Sequence, residues 1–279
     1  MTSNRSLLLL GCGYLGTVVA ERARAAYDQT YAYVSAPTPR PRLKKAGAQV
    51  HAVDIFCESL GLPADDRHEK HAMVLLPPSR IPDEPGDIAI LSSKLDEIDC
   101  KRAVLISSTG VYAASETAVT AETTLYSDTP RATRLHRIET EWLQASPRNV
   151  ILRLAGIYGP GRVVGLETLR KGDAVGGNAD AWLNLIHVED AAALGLSCLN
   201  GSGARVELGA DGNPVKRHAY YGHLAAAQGL PVPKFAGKAE RNTQSKRCDP
   251  STSFRRLKFE PRFPDYKSGL VHALAAIEE

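Results

Sequence analysis

The sequence predicts an α/β protein built on a doubly wound parallel sheet, and three observations carry that expectation. Strand-like runs alternate with stretches of helical spacing. Several runs are apolar without a break, as in Val74-Leu75-Leu76 and Ala103-Val104-Leu105-Ile106. The first run, Leu7 to Leu10, leads straight into a glycine-rich turn and then a helix-like stretch. Unbroken apolar strands suit a parallel sheet covered by helices on both faces, whereas a sheet with one wet face alternates polar and apolar residues.

Taken in order, the strand-like runs are Leu7 to Leu10, Thr30 to Ser35, Gln49 to Val53, Ala72 to Leu76, Arg102 to Ser107 and Asn149 to Arg153. Helical spacing of apolar residues marks Thr17 to Ala26, Asp87 to Ile98 and Arg134 to Ala145. Beyond about residue 155 the pattern gives way to glycine-rich loops and short helices. Asn184 to Ala191 reads as a short strand entering a helix, with Glu189 and Asp190 favourable in its first turn. Pro231 to Gln244 mixes Pro, Gly, Lys and Asn without periodicity and reads as a loop.

The turn is Gly11-Cys12-Gly13-Tyr14-Leu15-Gly16, a G-x-G-x-x-G pattern between a strand and a helix. In the Rossmann-type fold that pattern binds a dinucleotide. Gly11 makes the tight turn, Gly13 lets backbone approach the pyrophosphate, and Gly16 lets the helix pack closely on its strand. Tyr14 and Leu15 open the helix, whose N-terminal N–H groups would hold the phosphates. The chain is therefore read as a dinucleotide-binding region at 1–155, with 184–200 returning to it. A smaller interleaved cap for the substrate comprises 156–183 and 201–279.

An acid at the end of the second strand selects NAD by bonding the ribose 2′-OH. That place reads Tyr33-Val34-Ser35-Ala36, and Asp28 precedes the strand. Arg40, followed by Arg42, Lys44 and Lys45, can neutralise a 2′-phosphate, so NADP is favoured over NAD.

Lys and Arg number 34 against 31 Asp and Glu, a net charge of +3, which gives no global field for nucleic acid or a membrane surface. A local basic excess runs from Lys234 to Lys258 and reads either as a solvated face or as a surface that meets an anion. No aromatic series accompanies it, which argues against nucleic-acid binding. The five cysteines show no CxxC spacing, which fits a reduced compartment, and no metal site is expected. His68 and His71, in His-Glu-Lys-His, read as exposed loop residues. Cys12 reads as a small residue filling the turn. Leu7 to Leu10 is too short for a secretory h-region, and no run reaches the ~18 apolar residues of a membrane helix. A soluble cytoplasmic protein is the expectation.

Five ordered segments resemble the extended short-chain dehydrogenases, the NAD-dependent epimerase/dehydratase family, and particularly its atypical members. They are Gly11 to Gly16, Asp54-Ile55, Ser107-Ser108-Thr109-Gly110-Val111-Tyr112, Leu152 to Arg162 with Ala155-Gly156-Ile157 at its centre, and Ile186-His187-Val188-Glu189-Asp190. The resemblance implies adenine contacts from Asp54 and Ile55. It also implies that Pro77 and Ser107 lie along the dinucleotide and that Ala155, Gly156 and Ile157 lie beside the nicotinamide. It gives Ser108 the hydroxyl that orients a substrate C–OH or C=O. The family's Tyr and Lys, four residues apart, fall on Thr133 and Arg137. An aliphatic hydroxyl lies far above the ~10 of a phenol, and arginine does not lose its proton, so neither replaces its counterpart in acid/base work. Tyr112, directly after the serine hydroxyls, is the substitute acid weighed in the catalytic set, beside Tyr126, Tyr158 and His136. The reading is an NAD(P)-binding epimerase/dehydratase-like oxidoreductase on a small polar substrate, with a homodimer as the family's habit. The rival reading is a catalytically silent NAD(P)-binding sensor or partner-binding protein.

Overall fold

The computed structural model describes all residues except 1–3, 37–39, 63–66, 83, 125, 202, 237–244 and 279. Its centre is a seven-stranded sheet. The strands are β1 (Arg5–Leu10), β2 (Gln29–Val34), β3 (Gln49–Ala52), β4 (Glu69–Val74), β5 (Cys100–Ser108), β6 (Asn149–Leu154) and β7 (Val206–Gly209). Their spatial order is β7-β6-β5-β4-β1-β2-β3. β1 pairs in parallel with β2 and β4, as do β2 with β3 and β4 with β5.

Composition follows position in the sheet. Leu7 to Leu10 of central β1 are all fully buried, whereas edge strand β3 carries Gln49 and His51 and is half exposed. Leu8 sits between Tyr31 of β2 and Ala72 of β4. The helices are α1 (Tyr14–Ala23), α2 (Pro41–Lys45), α3 (Asp87–Glu97), α4 (Pro130–Ala145), α5 (Leu166–Arg170), α6 (Val188–Leu199), α7 (Arg217–Ala227), α8 (Ser251–Leu257) and α9 (Tyr266–Glu278). α4 starts four residues before its apolar spacing does. Pro130 suits a first helical position, where no N–H is needed, and Thr129 Oγ1 accepts the Ala132 N–H at 3.4 Å.

The chain divides into two compact units. Unit 1 comprises 1–108, 134–153 and 192–207, and unit 2 comprises 109–133, 154–191 and 208–279. This departs from the division read from the sequence. Residues 109–133 group with unit 2, because Ala118 and Val119 pair with Arg247 and Cys248, a strand contact that spacing does not reveal. Residues 184–191 also belong to unit 2, where Leu185–His187 pairs with Gly156–Tyr158. The core of unit 1 packs Leu8, Leu10, Tyr31, Val74, Leu91 and Trp142. That of unit 2 packs Tyr158, Leu169, Tyr220, Leu224 and Leu270.

Two local expectations are corrected. His71 is no loop residue: it lies in β4, 4% exposed, with Nδ1 2.8 Å from the Tyr27 hydroxyl and Nε2 3.1 Å from Glu69. The polar residues flanking it had masked a strand whose buried half begins at His71. Within Pro231 to Gln244, Phe235–Ala236 is a strand paired with Val175–Gly176, and 237–244 lie outside the described residues.

Asp211 in unit 2 generates a pH prediction. It is 4% exposed; Oδ1 accepts the Asn213 N–H at 2.9 Å, while Oδ2 is buried without a hydrogen-bond partner. Burial pushes its carboxyl up to about 7, with Asp265 and Asp190 adding repulsion. Because the folded value lies above the unfolded one, the fold favours the neutral acid. Stability should be greatest below pH 4 as far as this group is concerned, and lost as pH rises through about 7. Asp211→Asn should flatten the fall in melting temperature between pH 5 and 8, as read by calorimetry.

Candidate dinucleotide site

The strand order reverses between β1 and β4, and a cleft of about 560 Å³ opens beyond the carboxyl ends of the strands on one side of that point. Every residue lining it belongs to unit 1. Gly11, Cys12 and Gly13 come from the turn after β1, Tyr33 and Val34 from the end of β2 with Ser35 and Arg40 beyond it, Val53 to Cys57 from beyond β3, and Leu76, Pro77, Arg80 and Pro82 from beyond β4.

The three glycines have separable reasons to be glycine. Gly11 has φ +86°, and a Cβ there would stand 2.5 Å from Leu76 Cδ2. Its N–H and that of Cys12 both donate to the Tyr33 carbonyl, at 3.0 and 3.2 Å, which ties the turn to the end of β2. A Cβ on Gly16 would meet Cys12 Sγ at 2.8 Å and Leu75 Cδ1 at 3.1 Å, so this glycine lets α1 sit close to its neighbours. A Cβ on Gly13 would touch nothing within 4 Å. It would enter the cleft.

Tyr14, Leu15 and Gly16 form the first turn of α1. No side chain caps that end, and no acid lies in the first turn. The leading N–H groups of a helix lack intrahelical acceptors and carry the positive end of its dipole, which suits a phosphate. Arg40 adds a full charge, and its Nε is buried without a hydrogen-bond partner among the described residues. That guanidinium also acts on Cys12, opposing the burial that pushes the thiol up to about 12. Burial therefore keeps the Cys12 thiol in its protonated form near neutral pH.

Asp54 and Ile55 line the cleft, and the Asp54 carboxylate also serves its own turn. Oδ1 accepts the Phe56 N–H at 3.0 Å, and the bond from Phe56 holds the carboxyl below its ordinary value. Glu58 reciprocates by accepting the Asp54 N–H at 2.8 Å. Thus Gly11, Gly13, Arg40, Asp54, Ile55 and Pro77 meet in one cleft. Arg80 joins them without having been singled out in the sequence. Its position in the turn after a buried strand, two residues past Pro78, was the available signal.

Ser107, Ser108, Thr133, Arg137 and Tyr112 do not line this cleft. Ser107 is buried and its hydroxyl donates to Glu139 Oε1 at 2.5 Å. Arg153 grips the same carboxylate, with Nη2 2.6 Å from Oε2. Arg137 donates to Glu141 at 3.0 Å and to the Glu84 carbonyl at 3.2 Å. Thr133 sits in the first turn of α4, its N–H donating to the Thr129 carbonyl. The Tyr112 ring is buried and stacks on Tyr126, and its hydroxyl donates to the Thr120 carbonyl at 2.8 Å. This phenol is held by the backbone of unit 2. Ala155 and Gly156 are positioned by strand contacts of unit 2. Ala155 N–H donates to Gly209, and a Cβ on Gly156 would stand 3.2 Å from the Asn184 carbonyl, so glycine there admits the strand that carries Ile157's partner Ile186. Among the described residues no cluster could hold a metal ion, and no helix is long and apolar enough to cross a membrane.

No family profile matches the chain. It is 26% identical to Protein YeeZ of Escherichia coli K12 over 275 residues, covering 94% of this chain and 97% of that one. Among solved structures it is similar to a candidate NAD-dependent epimerase/dehydratase of Methylobacillus flagellatus, with 26% identity, a TM-score of 0.76 and all of both chains covered. It is also similar to MoeE5 in complex with UDP-glucose and NAD, with 17% identity, a TM-score of 0.80 and 98% of each chain covered. The chain thus has the Rossmann-type fold of the NAD-dependent epimerases and dehydratases.

Gly13→Ala should separate folding from binding. With open space around the added methyl, the melting temperature should stay within about 2 °C of the parent. Affinity for the dinucleotide should fall at least tenfold, as measured by calorimetric titration.

Proposed function

We propose that this chain is an atypical extended short-chain dehydrogenase, an NAD(P)-binding epimerase/dehydratase-like oxidoreductase acting on a small polar substrate. The observation that carries the reading is the cleft, where an uncapped helix N-terminus and an open Gly13 after β1 meet Arg40 after β2, whose Nε has no hydrogen-bond partner among the described residues. These features fit a dinucleotide. The backbone from Gly11 to Gly16 would take the pyrophosphate, and Asp54, Ile55 and Pro77 would flank the adenine half. The carboxyl end of β2 offers Tyr33, Val34 and Ser35 and no acid to this cleft. With Arg40 beside them, that supports NADP over NAD. When bound, the cofactor supplies a hydride acceptor or donor.

Ser108 is the hydroxyl we assign to substrate orientation, and Ala155, Gly156 and Ile157 are assigned to the nicotinamide side. Thr133 and Arg137 stand where the family's Tyr and Lys would be. The second reading, an NAD(P)-binding sensor without turnover, draws on Arg137, whose guanidinium is held by Glu141 and the Glu84 carbonyl. Turnover that disappears in Ser108→Ala supports the enzyme, and turnover unchanged by it removes Ser108 from the chemistry.

NADPH should raise the melting temperature more than NADH at equal concentration, and Arg40→Ala should erase the difference by weakening NADPH alone about tenfold or more. No shift with either nucleotide would refute the cofactor. Equal shifts in the parent protein would refute the preference.

A further inference from the structure

Among the described residues one lysine is buried, Lys246, at 6% exposed. It lies within the basic stretch from Lys234 to Lys258, which the sequence presents as a surface. A carbonyl partner does not set it apart, since half-buried Lys94 also donates to carbonyls, those of Ile55 and Glu58. Burial does. An ammonium withdrawn from water gives up its hydration, a cost that an apolar side chain of similar length, such as methionine, would avoid. Packing alone therefore does not account for a lysine at this position.

Two segments of unit 2 hold it in place. On one side Lys246 Nζ donates to the Tyr112 carbonyl at 3.1 Å, and Tyr112 directly follows the turn Thr109–Val111 that leaves β5. Side chains two apart in extended chain point the same way, and the thiol of Cys248 is hydrogen-bonded to Thr109, at the start of that turn. On the other side Asn184 Nδ2 donates to the Lys246 carbonyl at 2.9 Å, and its Oδ1 accepts the Cys248 N–H at 2.7 Å. The Asn184 backbone carbonyl accepts the Gly156 N–H at 3.0 Å. One asparagine thus joins the Lys246 backbone to the segment assigned to the nicotinamide side.

We propose that Lys246 is the acid/base residue of this chain, its ε-amine exchanging the hydroxyl proton of an alcohol or carbonyl substrate in place of the Tyr and Lys that Thr133 and Arg137 do not supply. This rests on the enzyme reading above. In the oxidative direction the free amine takes the O–H proton while the carbinol C–H leaves as hydride to the oxidised cofactor, which yields a carbonyl, an ammonium and reduced cofactor. The reverse reaction returns both. Burial moves the Lys246 ammonium down from its ordinary value, opposed by Cys248, whose own thiol burial pushes up to about 12. A lowered value raises the fraction present as free amine, the form a general base needs, whereas Arg137 keeps its proton.

Labelling the folded, full-length protein with trace acetic anhydride between pH 6 and 10, each lysine read by peptide mass spectrometry, tests this without turnover. Lys246 should be acetylated with an inflection below that of the exposed lysines, and saturating NADPH should slow it about fivefold or more while leaving the exposed lysines unchanged. A lysine buried only for structure stays unlabelled or ignores the cofactor, and either result would overturn the proposal. For any alcohol the protein oxidises, Lys246→Ala should lose about a hundredfold or more in rate, and methylamine should restore part of that loss where tetramethylammonium restores none. Lys246→Arg, which keeps a cation at the Tyr112 carbonyl, should be equally slow and carries the test if the alanine variant fails to fold. Full activity in either variant overturns the assignment. An NADPH-induced melting shift in the parent without protection of Lys246 refutes the lysine alone, whereas no shift with either nucleotide refutes the enzyme reading beneath it.

Discussion

Both strand ends at the reversal of the sheet are pinned by backbone, and the cleft exists because of that constraint. The chain leaves β1 through a left-handed residue at Gly11, with the N–H groups of Gly11 and Cys12 bound to the Tyr33 carbonyl. On the other side the Leu75 N–H donates to the Leu10 carbonyl, and Leu76 fills the space that a side chain at Gly11 would need. β1 can occupy this position because its Leu7 to Leu10 run tolerates burial on both faces. A more polar strand would be forced toward the edge, as β3 is, and the turn would no longer face the end of β4.

A different constraint governs the carboxyl end of β5. The Ser107 hydroxyl is bound to a buried Glu139–Arg153 pair whose side chains are only 3% and 4% exposed. Such a pair contributes little net stability compared with an apolar replacement, but removing one partner strands a buried charge, at a cost of about 3–5 kcal/mol. The pair fixes where α4 lies against β5 and β6 within unit 1. Arg137, two residues before Glu139, is consequently carried to Glu141 and Glu84. Thr133 meanwhile stays in the first turn of α4, and Arg137 is engaged in local contacts.

Much of this was legible in the sequence, because local chemistry decided it. Unbroken apolar runs gave the inner strands, and glycine at 11, 13 and 16 gave the turn, each glycine for its own steric reason. Tyr33-Val34-Ser35 announced the missing acid. What the sequence concealed depends on partners distant in the chain. His71 looks like a loop residue until Tyr27 is placed beside it. Residues 109–133 group with unit 2 through partners far along the chain, among them Arg247 and Cys248 paired with Ala118 and Val119, and Arg256 bound to Glu122. The inverse also holds at Tyr112: its place after Ser108 invites a catalytic reading, while the structure shows a hydroxyl bonded to a carbonyl eight residues on.

The central claim is that the N-terminal turn of α1 receives the phosphates of a nicotinamide dinucleotide. Hydrogen exchange at the Leu15 and Gly16 amides, with and without saturating NADPH, tests it most directly. The account predicts clear slowing at these two amides, since they would donate to phosphate oxygens. Unchanged exchange there, under conditions where NADPH is shown to be bound, would contradict it.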